Sequence, residues 1–212
     1  MKKIILVGGG GHCKVVIDTL RLDKKFVITG IVDKKEKVGS KVIGVPIIGK
    51  DTCLPRYLKK GVKYCFVAVG SIGSMDLRIK LFNLVKRIGF IIPSVAHPSA
   101  IISKYAEIGE GSFIGAKAII NPGAKIGNNC IINSGSIIEH DCIIGNHVHI
   151  APGVVMSGSV HIKEAAHIGT GSVLKQCVTI GRNTVVGIGS VVVDDIADNI
   201  VACGNPCRRI LK

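Results

Sequence analysis

From Ile102 onward an aliphatic residue returns at every sixth position without interruption: Ile102, Ile108, Ile114, Ile120, Ile126, Ile132, Ile138, Ile144, Ile150, Met156, Ile162, Ile168, Leu174, Ile180, Val186 and Val192. Four positions after each stands a small or β-branched residue, from Ala106 and Ser112 through Cys130 and Cys142 to Thr184 and Ser190. A strict period of six signifies a parallel β-helix. Each six-residue unit forms one short face, and three units close a coil of 18 residues. The sixteen units therefore predict about five coils, stacked about 4.8 Å apart. The aliphatic residue points inward, and the small one fits the tight corner. Each buried aliphatic contributes about 1.5–3 kcal/mol before entropy is subtracted. Such a core needs no large rings, in keeping with 4% aromatic residues and no tryptophan.

The first 95 residues follow a different pattern. Lys2–Val7 is an apolar run that ends in Gly8-Gly9-Gly10-Gly11-His12. Cys13–Leu22 carries Val15, Val16, Thr19 and Leu20 at helical spacing, which predicts an amphipathic helix. Val27–Val32 reads as a second strand ending at Asp33, Tyr64–Val69 as a third ending at Gly70-Ser71, and Asp76–Ile88 as a second helix. Strands alternating with helices predict a small, Rossmann-like parallel α/β sheet. The expected organisation is thus an α/β domain over 1–95 and an all-β parallel β-helix over 96–212.

Charge and cysteine usage narrow the functional classes. The chain holds 28 Lys+Arg against 14 Asp+Glu, a formal net charge of +14, which suggests anionic partners. Few aromatics stand ready to stack on bases, so nucleic acid is a poor fit. No run reaches the roughly 18 apolar residues of a membrane span. The apolar stretch Ile4–Val7 is too short for a signal peptide, so a cytoplasmic protein without membrane insertion is expected. None of the eight cysteines forms a Cys-x-x-Cys pair, which favours reduced thiols in that compartment.

His140 lies two residues after inward Ile138, outside both inward series, and eighteen residues later comes Gly158. One corner column therefore reads Pro122, His140, Gly158, Gln176. A glycine stacked on a histidine lets a ligand approach the backbone and leaves an N–H free to donate. Asp141 follows immediately and is able to orient the imidazole. Near the N-terminus, Gly8–Gly11 opens a helix whose first N–H groups suit a phosphate.

Three segments, namely Gly8–His12, Ile137-Ile138-Glu139-His140-Asp141-Cys142 and Gly204-Asn205-Pro206, combine with the hexapeptides into a closer resemblance. The chain resembles the left-handed β-helix sugar acetyltransferases that include the bacillosamine and perosamine N-acetyltransferases, with the sialic acid O-acetyltransferases in the same extended group. The resemblance covers the whole chain. It implies a homotrimer without a metal, acetyl-CoA as cosubstrate, and acetylation of the amino group of a nucleotide-linked amino sugar, of the UDP-4-amino-sugar type. The alternative is O-acetylation of a sialic acid. His140 with Asp141 would take a proton from the sugar amine as it attacks the thioester directly, with no cysteine nucleophile. A base poised near pH 7 serves that step.

By the same resemblance, His149 contacts the acetyl group, with His147 close by, and the Gly158 N–H binds its carbonyl oxygen. Backbone contacts to CoA fall at Thr170 and Ile188, in a groove between neighbouring β-helices, with Arg208 and Arg209 near its phosphates. Gly9, Gly10, Gly11, His12, Asp33, Lys34 and Gly70 would hold the nucleotide sugar, with Asp33 accepting from base or ribose. The family often has two acids there, whereas this chain has Asp33-Lys34.

Three other classes compete. Gly8-x-Gly10 followed by Asp33 is similar to a nicotinamide-binding fingerprint, but Cys13 stands where its third glycine belongs. A zinc enzyme would draw on His140, His147, His149, His161 and His167, yet the β-helix carbonic anhydrases have no nucleotide-binding half. A scaffold with a decayed site is opposed by His140 and Gly158 standing in register.

Overall fold

A computed structural model describes residues 1–210 as two units, one of Met1–Ser71 with Asp76–Pro98, the other of Ile72–Met75 with the chain from Ser99 on. In the first unit the elements are β1 (Lys2–Val7), α1 (Gly11–Asp23), β2 (Phe26–Val32), β3 (Lys41–Val42), β4 (Val45–Gly49), α2 (Leu54–Lys59), β5 (Tyr64–Val67) and α3 (Asp76–Ile88). Their sheet order is β3-β4-β2-β1-β5. All pairings are parallel except that of β3 with β4. Ile4, Ile5 and Leu6 are wholly buried, because helices cover both faces of such a sheet.

Periodicity predicts three strands and two helices here. The hairpin of β3 and β4 and the six-residue α2 are additions. Both strands are short, and β4 carries Pro46, which lacks an N–H and lies opposite Lys41 of the two-residue edge strand β3. The strand expected to run to Val69 ends at Val67. Beyond it the buried Arg78 of α3 draws the chain aside, its Nη1 donating to the carbonyls of Val67 (2.8 Å) and Val69 (2.7 Å). With β1, β2 and β5 parallel, their C-terminal ends gather Gly8–Gly11, Asp33 and the turn before Gly70 at one end of the sheet, where open α/β sheets bind ligands.

In the second unit two-residue strands pair every 18 residues, as Ile119–Ile120 does with Ile137–Ile138 and that in turn with Val155–Met156. The second residue of each strand points inward: Ile114, Ile132, Ile138, Ile150 and Met156 are wholly buried. So are most of the small corner residues, among them Ser112, Cys130, Cys142 and Ser172, and their polar atoms satisfy corner carbonyls. Ser112 Oγ donates to Gly127 O (2.8 Å), and the Cys142 thiol to Ser157 O (3.2 Å). One corner column, Gly123, Asp141, Ser159 and Cys177, takes the left-handed conformation with φ between 59° and 77°. The sixfold period is thus a period of inward side chain, corner and left-handed residue, repeated three times per coil.

The three outward faces differ sharply. One carries Glu107, Lys125, Ile143, His161 and Thr179 and is largely polar. A second carries Phe113, Ile131, His149 and His167, all buried. The third is entirely aliphatic: Ile101, Ile119, Ile137, Val155, Val173 and Val191, with Ile101 65% and Val173 44% exposed. All eight cysteines are free thiols. Burial, reinforced by the charge of Asp33, pushes Cys13 up to about 12, which makes it inert as a nucleophile. No described helix is long and apolar enough to cross a membrane.

Candidate active site

Strand Ile137–Ile138 delivers the chain to the corner where His140 and Asp141 stand. His140 Nδ1 lies 2.8 Å from Asp141 Oδ2, and both side chains are largely exposed. The carboxylate accepts from Nδ1–H, which fixes the tautomer and leaves the lone pair on Nε2 directed away from it. Asp141 reaches back to its neighbour because its own backbone is left-handed, at φ 60°. One coil further, Gly158 packs directly on the ring: a Cβ there would lie 2.6 Å from His140 Cε1 and 2.7 Å from Nε2. The Gly158 carbonyl accepts from Cys177 N–H, whereas its N–H donates to nothing among the described residues. An imidazole with a free acceptor nitrogen and an unspent backbone donor therefore share one corner.

Thr170 and Ile188 occupy a different corner. They continue the column of Ser134 and Pro152, each residue's carbonyl accepting the N–H that follows the next. Both are exposed, Ile188 to 79%, and neither N–H is used among the described residues. This column and that of His140 flank the aliphatic face, one on each edge. The glycines beside them have reasons of their own. A Cβ on Gly169 would strike the Ile188 N–H of the next coil at 2.6 Å, and Gly171 and Gly189 are left-handed corner residues.

Of the two neighbouring histidines, His147 belongs to a corner, with φ 61°. Its Nδ1 lies 3.0 Å from Asn129 Nδ2, and its Nε2 4.0 Å from Glu164. His149 instead faces outward from a strand. Its Nε2 lies 3.4 Å from Asn133 Nδ2, and its ring meets His167 edge-on with centroids 4.8 Å apart. Burial lowers the pKa of His167, so this stacked pair avoids facing two charges. Among the described residues no group of three or more His, Cys, Asp or Glu is placed to hold a metal ion. Arg208 and Arg209 form a last strand against Ala202 and Cys203. The Arg208 guanidinium already meets Asp194 at 3.1 Å, which leaves Arg209 as the less committed of the two.

In the first unit, α1 begins at Gly11 with no side-chain cap and no acid in its first turn. Around Gly10 and Gly11 a side chain would meet nothing within 4 Å, so the helix N-terminus opens on space and suits an anion. Gly70 lies against His12, where a Cβ would stand 3.3 Å from the histidine Cβ. Asp33 lines a cavity at this end of the sheet, and its carboxylate already receives three donors. Its Oδ2 accepts from Gly9 N–H (2.7 Å) and Lys37 Nζ (2.9 Å), and its Oδ1 from Lys34 N–H (2.7 Å). Burial works against its charge, but these hydrogen bonds outweigh it and hold the carboxyl below its ordinary value. Asp33 braces the glycine loop. The cavity it lines, of about 190 Å³, is also walled by Lys34, by Lys50 and Asp51 after β4, and by Val69, Leu77 and Leu81. The last five escaped the sequence reading, and Lys50-Asp51 would have been found only by recognising β4.

Residues 3–85 match the family model of the PglD N-terminal domain, and residues 105–140 and 123–158 match bacterial transferase hexapeptide repeats. The chain is similar to a perosamine N-acetyltransferase from Caulobacter crescentus, solved as a histidine-to-asparagine variant with CoA and GDP-perosamine. The identity is 36% over 100% of this chain and 98% of that one, with a TM-score of 0.93. PerB from the same organism, with the same two ligands, gives 38% over 99% and 98%, at 0.92. The acetyltransferase domain of PglB from Neisseria gonorrhoeae, in complex with acetyl coenzyme A, gives 33% over 99% of both chains, at 0.89. No curated protein matches.

Proposed function

Since this chain belongs to the hexapeptide-repeat sugar N-acetyltransferases that carry a PglD-type N-terminal domain, we propose that it moves the acetyl group of acetyl-CoA onto the amine of a nucleotide-linked amino sugar, with His140 as general base. A UDP-linked 4-amino sugar is the first acceptor to test. A GDP-linked one is the second, since two similar structures hold GDP-perosamine. The observation that supports the reading best is the corner where a tautomer-fixed imidazole lies under an unspent Gly158 N–H.

The chemistry follows from those atoms. The neutral amine attacks the thioester carbonyl, and a C–N bond forms while negative charge builds on the carbonyl oxygen. Gly158 N–H stabilises that charge, and one such donor is worth about 10²–10³ in rate. His140 Nε2 accepts the proton lost by nitrogen, and Asp141 steadies the resulting imidazolium. Collapse breaks the C–S bond, and the departing thiolate takes up the proton. His149 sits where a sheet face meets the groove and contacts the acetyl group. The uncapped start of α1, with Gly9–Gly11, His12 and Gly70, holds the diphosphate of the sugar nucleotide, next to the cavity beside Lys34.

Incubating the protein with acetyl-CoA and a panel of UDP-amino sugars, GDP-amino sugars and sialic acids, with free thiol as the readout, tests the reaction. Turnover confined to sialic acids would replace this reading with O-acetylation. Specificity should divide between the units. His12→Ala should raise the sugar KM about tenfold and leave the acetyl-CoA KM unchanged, because a lost ground-state contact acts on KM alone. Arg208→Ala with Arg209→Ala should do the reverse, less so at high salt. Loss of kcat in His12→Ala with an unchanged sugar KM would refute the division.

A homotrimer completes the site. Six aliphatic residues stacked on one face are costly to leave in water, and the columns of His140 and Thr170 stand on its two edges. Packing three such faces together puts the His140 edge of one prism beside the Thr170 and Ile188 edge of the next, making the groove for acetyl-CoA. Light scattering should give three times the chain mass of 22.3 kDa. An active species of one chain mass would overturn the trimer.

A further inference from the structure

The chain's positive charge is gathered in one unit. Residues 1–98 hold 19 Lys+Arg against 6 Asp+Glu, so +13 of the formal +14 lies there, while the remaining residues are nearly neutral. The sheet topology sorts these charges further. β1, β2 and β5 run parallel, so their N-terminal ends point one way, and α1 and α3 end on that same side. At this end stand Lys2 and Lys3 opening β1, Arg21, Lys24 and Lys25 closing α1, Lys59, Lys60 and Lys63 before β5, and Lys86 and Arg87 closing α3. All ten are exposed.

Backbone hydrogen bonds tie the end into one surface. Lys2 N–H donates to Lys25 O at 3.1 Å, and Ile91 N–H to Lys63 O at 2.9 Å. Among the described residues there, Asp23 is the single acid, and it meets Lys25 at 3.0 Å. Complementing two helix C-termini accounts for two or three cations at most. The substrate phosphates account for none, because the uncapped start of α1 and the glycine loop lie at the opposite, C-terminal end of the sheet.

We propose that this basic end is a docking surface for an anionic lipid bilayer, on which the enzyme sits with its substrate crevice turned outward. The composition of the patch selects a membrane over a nucleic acid. Eight of its ten cations are lysines, point charges suited to headgroups rather than forks for bases. Its two aromatic rings are already engaged: Lys2 Nζ lies 5.2 Å over the Tyr64 ring, and Phe26 meets the same ring edge-on at 5.3 Å. Both rings thus have a neighbour already, and neither stands free as a platform for a base. Exposed aliphatics stand among the lysines instead, Met1 at 85%, Leu22 at 51% and Val27 at 44%. These have nothing to gain from a phosphate backbone, whereas the boundary between headgroups and acyl chains accepts them.

The test is sedimentation of the full-length protein with vesicles of phosphatidylcholine alone or mixed with phosphatidylglycerol. Each cation near an anionic leaflet strengthens adsorption about fivefold. The mixed vesicles should therefore carry the protein down at low salt and release it at about 0.5 M, where charges are screened within about 4 Å. Lys59→Glu with Lys60→Glu and Lys63→Glu should weaken adsorption by more than about 100-fold, with acetyl transfer to soluble substrate unchanged. Equal sedimentation with neutral vesicles, undiminished binding by the triple variant, or displacement from mixed vesicles by equimolar duplex DNA would each overturn the proposal. The salt arm needs no variant. Acetyl transfer is read separately, so a failure of the enzymatic assignment would not be mistaken for a failure to bind lipid.

Discussion

Alanine in place of His140 should lower kcat by about 10²–10⁴, the range lost with a general base, while the thermal midpoint stays within a degree or two. The imidazole is 62% exposed, so its removal opens no buried cavity. What disappears is the acceptor for the amine proton. Without it, nitrogen must shed that proton to water from an intermediate that reverts more easily than it proceeds. Asp141→Asn should cost less, because the ring survives and only its tautomer and its charge partner change. Steady-state kinetics with saturating acetyl-CoA, beside a melting curve for each variant, separate chemistry from folding. Near wild-type turnover in His140→Ala would remove the histidine from the mechanism.

Gly158→Ala should be almost as damaging, though it adds a single methyl group. The new Cβ would fall within 2.7 Å of His140 Nε2, closer than real contacts allow. The coil backbone is held by hydrogen bonds above and below, so the imidazole must swing away. Its bond to Asp141 breaks and the base leaves the Gly158 N–H. Because an exposed ring moves at little cost, stability should change by less than about 1 kcal/mol, whereas kcat/KM should fall at least about 10²-fold. The double variant with His140→Ala should be scarcely worse than His140→Ala alone, as expected for residues that act as a unit. If Gly158→Ala retains a third or more of the activity, the stacked corner is not the reacting centre.

A period of six, carried by Ile102 through Val192, needs no tertiary partner to be read, because inward side chain, corner and left-handed residue recur as local properties of each hexapeptide. The same register puts His140 and Gly158 on one column, since stacking in a β-helix is sequence distance modulo 18. The phosphate-ready start of α1 was legible for a similar reason, as four glycines after an apolar strand are a local signal.

What depended on three dimensions was the use of each group. Asp33 has the sequence context of a ligand contact, and only the fold shows that Gly9, Lys34 and Lys37 converge on its carboxylate, so that it also braces the glycine loop. The register puts His147 in a corner and His149 on a strand, but does not show what either touches. Only the coil shows that one bonds to Asn129 while the other meets His167 edge-on. The cavity walls at Lys50, Asp51 and Leu77 come from segments 17 or more residues away from Asp33, a juxtaposition that no periodicity encodes. A repeat announces itself because its contacts are near in sequence, whereas a binding crevice is built from contacts that are far apart and becomes visible only when the chain has closed on itself.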